Sequence, residues 1–357
     1  MRRPRSPFVL FAVLAALPLG LLAPQAAAAQ PPTAVVVLGD SAASGEGAGD
    51  YEPGTRGEND NWCHRSVHAY VHRTGLAQTS VNLACSGADT TNVRFGDAVQ
   101  HTEGSQAQRL AEVALASRVT TVILQVGAND DAALTGTGIA CIRSLIDPRE
   151  PPCSETLGPL VPQRMAAMAP KVEAAVRDVR EAMRQAGYSR ADYELVLASY
   201  ASPVTEHMLP FPAALGCPYS RDDAGWGRTV LFPALSAALR GVADRTGARF
   251  LDMARATEGF EACTQPLRDS EWQRRLTVDP EALVYGGLDA IGYHLAQESF
   301  HPTAVAHAEM GRCVGEFVRG GDPAASCVAG SDGRAHLTPL VAPSPAAKGQ
   351  RGRGGGC

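Results

Sequence analysis

The sequence predicts a three-layer α/β domain in which helices cover both faces of a mostly parallel, five-stranded β-sheet. Two observations favour this fold. Five apolar or β-branched runs alternate with segments of helical periodicity, and most of the runs are apolar almost without interruption. Strands of that kind are buried on both faces, as in a parallel sheet between two layers of helices. The runs are Ala34–Leu38, Val81–Ala84, Val119–Val126, Glu194–Ser199 and, more weakly, Arg249–Leu251.

The segments that separate and follow these strands predict helices. One helix begins at Pro170, a residue favoured in the first helical position, and ends at Gly187. Apolar residues recur along one of its faces, at Val172, Val176, Val179 and Met183. The other helices are predicted at Gln106–Ala116, Thr229–Thr246 and Thr303–Val318.

Three connections are too long for simple turns. Loops of such length in an α/β fold usually form the substrate cleft. They are Gly45–Trp62, Leu134–Gly158 and Ser202–Arg228.

Both ends of the chain lie outside the predicted domain, which spans residues 30–328. Residues 1–29 combine arginines, an apolar run at Phe8–Leu22 and a run of alanines, which is the pattern of a secretory signal peptide. The apolar run is shorter than the roughly 20 residues that span a bilayer, although an uncleaved N-terminal anchor is an alternative. Residues 329–357 are rich in Gly, Pro, Ser and Arg, and predict a disordered tail.

Composition narrows the class of protein. The 357 residues are 45% hydrophobic and 19% charged, and the formal net charge is −5. Loss of residues 1–29 would remove three arginines and leave a charge of −8. The chain therefore has neither the basic character of a nucleic-acid-binding protein nor a polybasic membrane patch. We expect a secreted, extracellular monomer without a transmembrane anchor after signal cleavage.

Nine cysteines follow the signal segment, and none forms a C-x-x-C pair. In an exported chain, cysteines usually form disulfides. The first eight cysteines allow 105 pairings. Pairing of neighbours, namely Cys63–Cys85, Cys141–Cys153, Cys217–Cys263 and Cys313–Cys327, closes short loops and is preferred. The ninth, Cys357, is either free or intermolecular.

Candidate catalytic residues follow three of the predicted strands. Ser41, Gly87 and Asn129 come just after the first, second and third strands, and ligands of α/β sheets bind beyond the carboxyl ends of the strands. A serine nucleophile needs donors for the oxyanion, and backbone N–H groups and an Asn amide supply them. It also needs a base, which His301, followed by Pro302, can provide.

The chain resembles the SGNH (GDSL-type) hydrolase superfamily, specifically its secreted actinobacterial-type esterases and lipases. The resemblance covers about Thr33–Phe317. Its segments are VVVLGDSAASGEGAG at Val35–Gly49, NLACSGADT at Asn82–Thr90, VGAND at Val126–Asp130, ESFHPTAVAH at Glu298–His307 and, for the first cysteine, DNWCHRS at Asp60–Ser66.

This resemblance implies a flavodoxin-like α/β/α sandwich without metal or cofactor. Ser41 is then the nucleophile and His301 the general base. The oxyanion hole consists of the N–H groups of Ser41 and Gly87 and the Asn129 side chain. The family's disulfides resemble 63–85, 141–153 and 217–263, whereas 313–327 is an addition.

One position departs from the family pattern. Many members have Asp three residues before the histidine, where this chain has Glu298. Glu298 either orients the imidazole as the third member of a catalytic triad, or points to solvent while a backbone carbonyl, of Glu298 or Ser299, holds the ring.

The function implied is a secreted serine esterase or lipase that cleaves lipid or short-chain esters. The same site suits a carbohydrate deacetylase, a phospholipase or an acyltransferase. A non-catalytic secreted binding protein is the alternative from another class.

Several further residues have both a functional and a structural interpretation. His64, His68 and His72 have helical spacing, and we interpret them as one face of an exposed helix rather than a metal site. Asp40 and Asp130 are expected to brace loops, and His294 and His307 to be structural. Trp62, Trp226 and Trp272 either line an acyl site or pack in the core.

Overall fold

The sheet contains seven strands rather than five. The structure is a computed structural model that describes residues 30–287 and 291–340, and the fold belongs to the unit that starts at Pro32. The strands are β1 (Thr33–Gly39), β2 (Thr79–Asn82), β3 (Arg118–Gln125), β4 (Glu194–Ala198), β5 (Arg249–Arg255), β6 (Ala324–Ala329) and β7 (Ala335–Pro339). Their order across the sheet is β2-β1-β3-β4-β5-β6-β7, and every neighbouring pair is parallel except β6–β7.

The first five strands have the 2-1-3-4-5 order of flavodoxin-like sheets. β1 lies at the centre of the switch in strand order, with Val36 opposite Val81 of β2 and Val122 of β3. Its side chains are buried from Ala34 to Leu38 because both faces are covered. The loops after β1 and β3 therefore meet where this fold class binds ligands.

The two extra strands correct the predicted boundary of the domain. β7 lies within residues 329–357, which we predicted to be a disordered tail. It pairs antiparallel with β6, with Cys327 opposite Leu337, and β6 extends the sheet next to β5. β7 is short and weakly apolar, so the sequence pattern did not separate it from the tail. β6 lies almost wholly inside the predicted domain but was not predicted as a strand. Residues 341–357, including Cys357, and the predicted signal peptide at 1–29 lie outside the described residues.

Helices form a layer on each face of the sheet. The helices are α1 (Ser41–Ser44), α2 (Thr90–Val93), α3 (Gln106–Ala116), α4 (Leu134–Ile146), α5 (Cys153–Leu157), α6 (Val161–Gln185), α7 (Pro212–Leu215), α8 (Arg221–Trp226), α9 (Phe232–Thr246), α10 (Glu281–Gly286) and α11 (Ala304–Gly320). In one layer, α3, α6 and α9 pack on the side chains of Val36, Leu38 and Leu124. In the other layer, α11 and the 3₁₀ helix Tyr70–Arg73 pack on Val35, Val37 and Ile123.

Helix α6 starts earlier than predicted. Pro170 lies inside it rather than at its first position. Met165 and Met168 continue the buried face of Val172, so packing on the sheet offsets the hydrogen bond that the proline cannot donate. The connection predicted at Leu134–Gly158 likewise contains α4 and α5, and that at Ser202–Arg228 contains α7 and α8.

Four disulfides join neighbouring cysteines: Cys63–Cys85, Cys141–Cys153, Cys217–Cys263 and Cys313–Cys327. The first three hold loops at the carboxyl end of the sheet, and the fourth ties α11 to β6. Within the described residues, none of the helices combines the length with the apolarity that a bilayer span requires.

Candidate active site

Ser41 and His301 form a hydrogen-bonded pair at the carboxyl end of β1. Strand β1 ends at Gly39, the Asp40 side chain caps α1, and Ser41 is the first residue of that short helix. His301 lies 260 residues later, directly before α11. Its Nε2 is 2.8 Å from Ser41 Oγ. That distance is suitable for direct proton transfer from the hydroxyl to the imidazole.

A backbone carbonyl fixes the orientation of the His301 ring. Nδ1 lies 3.0 Å from the carbonyl oxygen of Ser299. Because a carbonyl only accepts, Nδ1 carries the proton, and Nε2 is left to accept from Ser41. Burial lowers the pKa of His301. The ring is therefore a neutral base with its lone pair directed at the serine.

Glu298, predicted as a third triad member, does not contact the imidazole. Its Oε1 accepts a hydrogen bond of 2.6 Å from the Tyr51 hydroxyl, and its Oε2 lies 3.7 Å from Arg274 Nη1. The triad geometry was wrong because the Ser299 carbonyl occupies the position of the acid. In the alternative interpretation, a backbone carbonyl holds the ring and the Glu298 side chain points to solvent. The Ser299 carbonyl does contact the ring, but Glu298 is buried, with only 7% exposed.

The candidate oxyanion donors lie in the loops after β1, β2 and β3. Asn129 Nδ2 donates one hydrogen bond, of 2.9 Å, to the carbonyl of Ala88, and its second N–H remains for a ligand. Gly87 precedes Ala88 in a turn that begins where Cys85 N–H bonds the Gly39 carbonyl. Across residues 30–287 and 291–340, no protein group accepts from the N–H of Ser41 or Gly87. Ser41, Asn129 and His301 line one cavity, whereas Gly87 is not among its lining residues.

Asp40 and Asp130 brace these loops, as expected. Asp40 is fully buried and accepts hydrogen bonds from Ala42 N–H and from the Tyr200 hydroxyl, 2.5 Å away. Burial raises the pKa of Asp40 to about 7, although the Tyr200 hydrogen bond opposes the rise. Asp130 accepts from the N–H and hydroxyl of Thr90.

Tyr200 was missed in the sequence. Its hydroxyl also accepts from Ala128 N–H at 3.3 Å, so it links the loop of Ser41 to the loop of Asn129. The signal was present, since Tyr200 follows the fourth strand just as the other candidates follow theirs.

The three histidines of the 64–72 segment do not form a helical face. His64 has a positive φ of 45° and is buried, and only His72 lies in a helix, the 3₁₀ turn at Tyr70–Arg73. His64 Nδ1 instead pairs with Glu46 Oε1 at 2.9 Å. Helical spacing was misleading because this segment follows Cys63, whose disulfide holds it in an irregular conformation. Among the described residues, no group of three His, Cys, Asp or Glu side chains is placed to hold a metal.

A cavity of about 390 Å³ opens beside Ser41 and His301. Helix α4 and the 204–232 and 276–300 segments supply its walls, which are mainly apolar: Leu134, Ile139, Ile142, Val204, Trp226, Leu231, Phe232, Leu276 and Phe300. Of the three tryptophans, Trp226 lines this cavity. Trp62 and Trp272 are buried in the core, against His294 and Phe260 respectively. His307 is buried beneath Tyr70 and does not line the cavity.

Comparison with known proteins gives the family. Residues 37–309 match the GDSL-like lipase/acylhydrolase family. The chain is 28% identical over 250 residues to Lipase 2 of Streptomyces coelicolor, which covers 67% of this chain and 76% of that protein.

Two solved structures share the fold. Phospholipase A1 of Streptomyces albidoflavus has a TM-score of 0.51 at 19% identity, covering 80% of this chain and 98% of that one. An extracellular lipase of Streptomyces rimosus has a TM-score of 0.50 at 19% identity, covering 79% and 97%. The family match confirms the resemblance that the motifs indicated and spans the Ser41–His301 pair. The chain therefore belongs to the GDSL-like lipase/acylhydrolase family and is a carboxylic ester hydrolase.

Proposed function

We propose that the protein is a secreted lipase that hydrolyses lipid esters, with Ser41 as nucleophile and His301 as general base. The observation that carries this proposal is the 2.8 Å contact between His301 Nε2 and Ser41 Oγ at the wall of an apolar cavity. The two groups that could react with an ester thus lie beside a surface that could hold its acyl chain.

The reaction has two steps. His301 Nε2 takes the Ser41 proton as Oγ bonds to the ester carbonyl carbon, and the imidazolium then protonates the leaving alcohol as the C–O bond breaks. Water repeats the sequence on the acyl-enzyme, giving its proton to His301 and releasing the acid and Ser41. The N–H groups of Ser41 and Gly87 and the free N–H of Asn129 stabilise the oxyanion of each tetrahedral intermediate.

The shape and chemistry of the cavity favour lipid esters over acetylated sugars. Its volume of about 390 Å³ lies near the lower end of the range of ~300–1,000 Å³ for small-molecule sites. A single acyl chain fits this description, since the walls offer mainly side-chain hydrocarbon. A sugar would need many polar partners, whereas the lining of this cavity is mainly apolar. The similar proteins named lipase and phospholipase A1 agree with this choice.

The test is an ester series on the purified protein. p-Nitrophenyl esters from acetate to palmitate, an acetylated xylan and a phosphatidylcholine are compared as substrates. We expect kcat/KM to rise from the acetate to medium or long acyl chains. A preference for acetate or for acetylated sugar would contradict the lipase assignment.

Two variants test the roles of the residues. Ser41→Ala should abolish both hydrolysis and labelling by a fluorophosphonate probe. Asn129→Ala should remain folded and labelled slowly, with kcat lower by about 10²–10³-fold through loss of one oxyanion donor. Hydrolysis by Ser41→Ala at the parent rate would refute the mechanism.

Export is part of the proposal. Residues 1–29 have the composition of a signal peptide, and disulfides are typical of proteins in oxidising compartments. Expression in an actinobacterial host should release the protein into the medium with its N-terminus near Gln30. A cell-retained chain that begins at Met1 would contradict export.

A further inference from the structure

Glu46 is a fully buried acid on the loop after α1, five residues beyond Ser41. Oε1 lies 2.9 Å from His64 Nδ1 and 3.2 Å from the Tyr51 hydroxyl. Oε2 accepts a hydrogen bond of 2.8 Å from Gln297 Nε2. A buried carboxylate with this many partners is held in one position.

The same loop contacts the loop that carries His301. Gln297, which donates to Glu46, lies four residues before His301. At Gly47, the next residue after Glu46, a Cβ atom would lie 2.8 Å from His301 Cβ. Arg274 joins the two loops, because its side-chain Nε donates to the Gly47 carbonyl and its backbone N–H donates to the His301 carbonyl.

Among the described residues no carboxylate lies at His301 Nδ1, which instead contacts the carbonyl oxygen of Ser299. A carbonyl fixes the tautomer, but it offers only a partial charge to the imidazolium that forms when Ser41 gives up its proton. In a serine triad the acid supplies both orientation and charge.

We propose that Glu46 is a positioning residue for His301, which divides the work of a triad acid with Ser299: the Ser299 carbonyl orients the ring, and Glu46 anchors its loop and supplies the negative charge that stabilises the imidazolium. This inference rests on the proposed Ser41–His301 mechanism.

The charges around the pair agree with this role. Burial alone would raise the pKa of Glu46, but the charge and hydrogen bond of His64 lower it to about 2, which favours the ionised carboxylate. Burial lowers the pKa of His301. The Glu46 charge is the largest influence that raises it, ahead of the Ser299 carbonyl, and His64 opposes it.

Titratable and charged groups from each neighbouring element face this site. Glu298 is buried beside Tyr51 and Arg274, and burial raises the pKa of Glu298. The others lie around Glu46 and His301, on the loop after β1, the Cys63 loop, the 274–298 segment and α11: Tyr51, His64, Arg274, Asp279, Tyr293 and His307.

The test measures the pKa of His301 directly, by NMR titration of the imidazole Cε1–H signals in the full mature protein. Glu46→Gln keeps the size of the side chain and one accepting oxygen, and removes its charge. We expect the pKa of His301 to fall, because the imidazolium loses the negative charge that raises its pKa most.

Glu298→Gln is the matched control. It removes a second buried carboxylate, which belongs to the His301 loop and accepts a hydrogen bond from the Tyr51 hydroxyl. We expect a smaller change in the pKa of His301 than with Glu46→Gln.

Kinetics on a p-nitrophenyl ester give the second readout. Glu46→Gln should lower kcat by roughly 10–100-fold with little change in KM, which is the size of loss expected from a poorly supported base. The acid limb of its kcat/KM profile should move to lower pH. Glu46→Asp, which retains the charge, should recover part of the rate.

The outcomes separate this inference from the proposed function. An unchanged pKa of His301 in Glu46→Gln, or equal rates for Glu46→Gln and Glu46→Asp, would overturn the role of Glu46. Because NMR needs no turnover, the expected shifts in a protein whose rate does not depend on Ser41 would leave the electrostatic inference standing and refute the mechanism.

Discussion

Gly47 is the position where a single methyl group should most directly disturb His301. Its φ is +83°, and an added Cβ would lie 2.8 Å from His301 Cβ and 3.0 Å from the Pro302 carbonyl oxygen. Gly54, on the same loop, has φ +82° and no atom within 4 Å of its Cβ position. The two glycines therefore have nearly the same φ, and among the described residues only Gly47 has a neighbour close to its Cβ position.

The magnitudes follow from this comparison. An L-residue in the left-handed region costs about 1–2 kcal/mol, and both Gly47→Ala and Gly54→Ala should lose that much stability. Gly47→Ala adds an overpacking cost of about 1–3 kcal/mol. Relief of a 2.8 Å carbon–carbon contact to the usual ~3.5–4.0 Å requires a movement of about 1 Å. Such a movement of His301 breaks its contact with Ser41 and should lower kcat/KM about 10²-fold.

The assay is hydrolysis of a p-nitrophenyl ester by the two variants, with urea unfolding as the measure of stability. We expect Gly54→Ala to be less stable than the parent but fully active, and Gly47→Ala to be folded at the assay temperature and nearly inactive. Equal activity of the two variants would refute the idea that close approach at Gly47 positions His301.

Three other predictions concern stability. Tyr200→Phe leaves Asp40 without its hydroxyl partner and should lower the free energy of unfolding by about 1–3 kcal/mol, more at pH 8 than at pH 5, because the pKa of Asp40 is about 7. Burial raises the pKa of Glu261 from 4.5 to about 7, so its contribution to stability is lost as pH rises through that window. Glu261→Gln should therefore gain up to about 3 kcal/mol at pH 8 and nothing below pH 4. Replacing Cys313 and Cys327 together by Ala opens a loop of 14 residues and should cost about 3 kcal/mol.

Urea unfolding at pH 4, 5 and 8 checks all three, with ester hydrolysis as the control for the site. A pH-independent loss in Tyr200→Phe would contradict the titration assigned to Asp40. A Glu261→Gln variant no more stable than the parent at pH 8 would contradict the buried charge. The cysteine variant should retain its activity at low temperature, and its inactivation there would link β6 to the site.

The central strands could be predicted because local pattern and tertiary environment agree. β1 and β3 are continuous apolar runs, and both are buried between two helix layers. β6 and β7 could not be predicted in this way, because their sequences, AASCVA and AHLTP, are not continuous apolar runs. These segments form strands through pairing of β6 with β5 and of β7 with β6. The extent of α6 was likewise set by packing, which overrode the usual position of Pro170.

The site was predictable to the extent that strand ends define it. Ser41 and Asn129 each follow a strand, and the sheet brings them to one cavity with His301. The partner of His301 Nδ1 could not be predicted, because it depends on the backbone of the 298–301 turn, where Phe300 has a positive φ of 60°. The Glu46–His64 pair was hidden for a similar reason, since His64 occupies a strained conformation that its spacing does not reveal.

The order of the disulfides has a consequence for synthesis of the chain. In each of the four pairs, the two partners are successive cysteines of the sequence, separated by 12 to 46 residues. If the chain enters an oxidising space N-terminus first, as proposed, each thiol meets its native partner before a later cysteine arrives. This order of pairing favours native cross-links during synthesis and reduces the need for reshuffling.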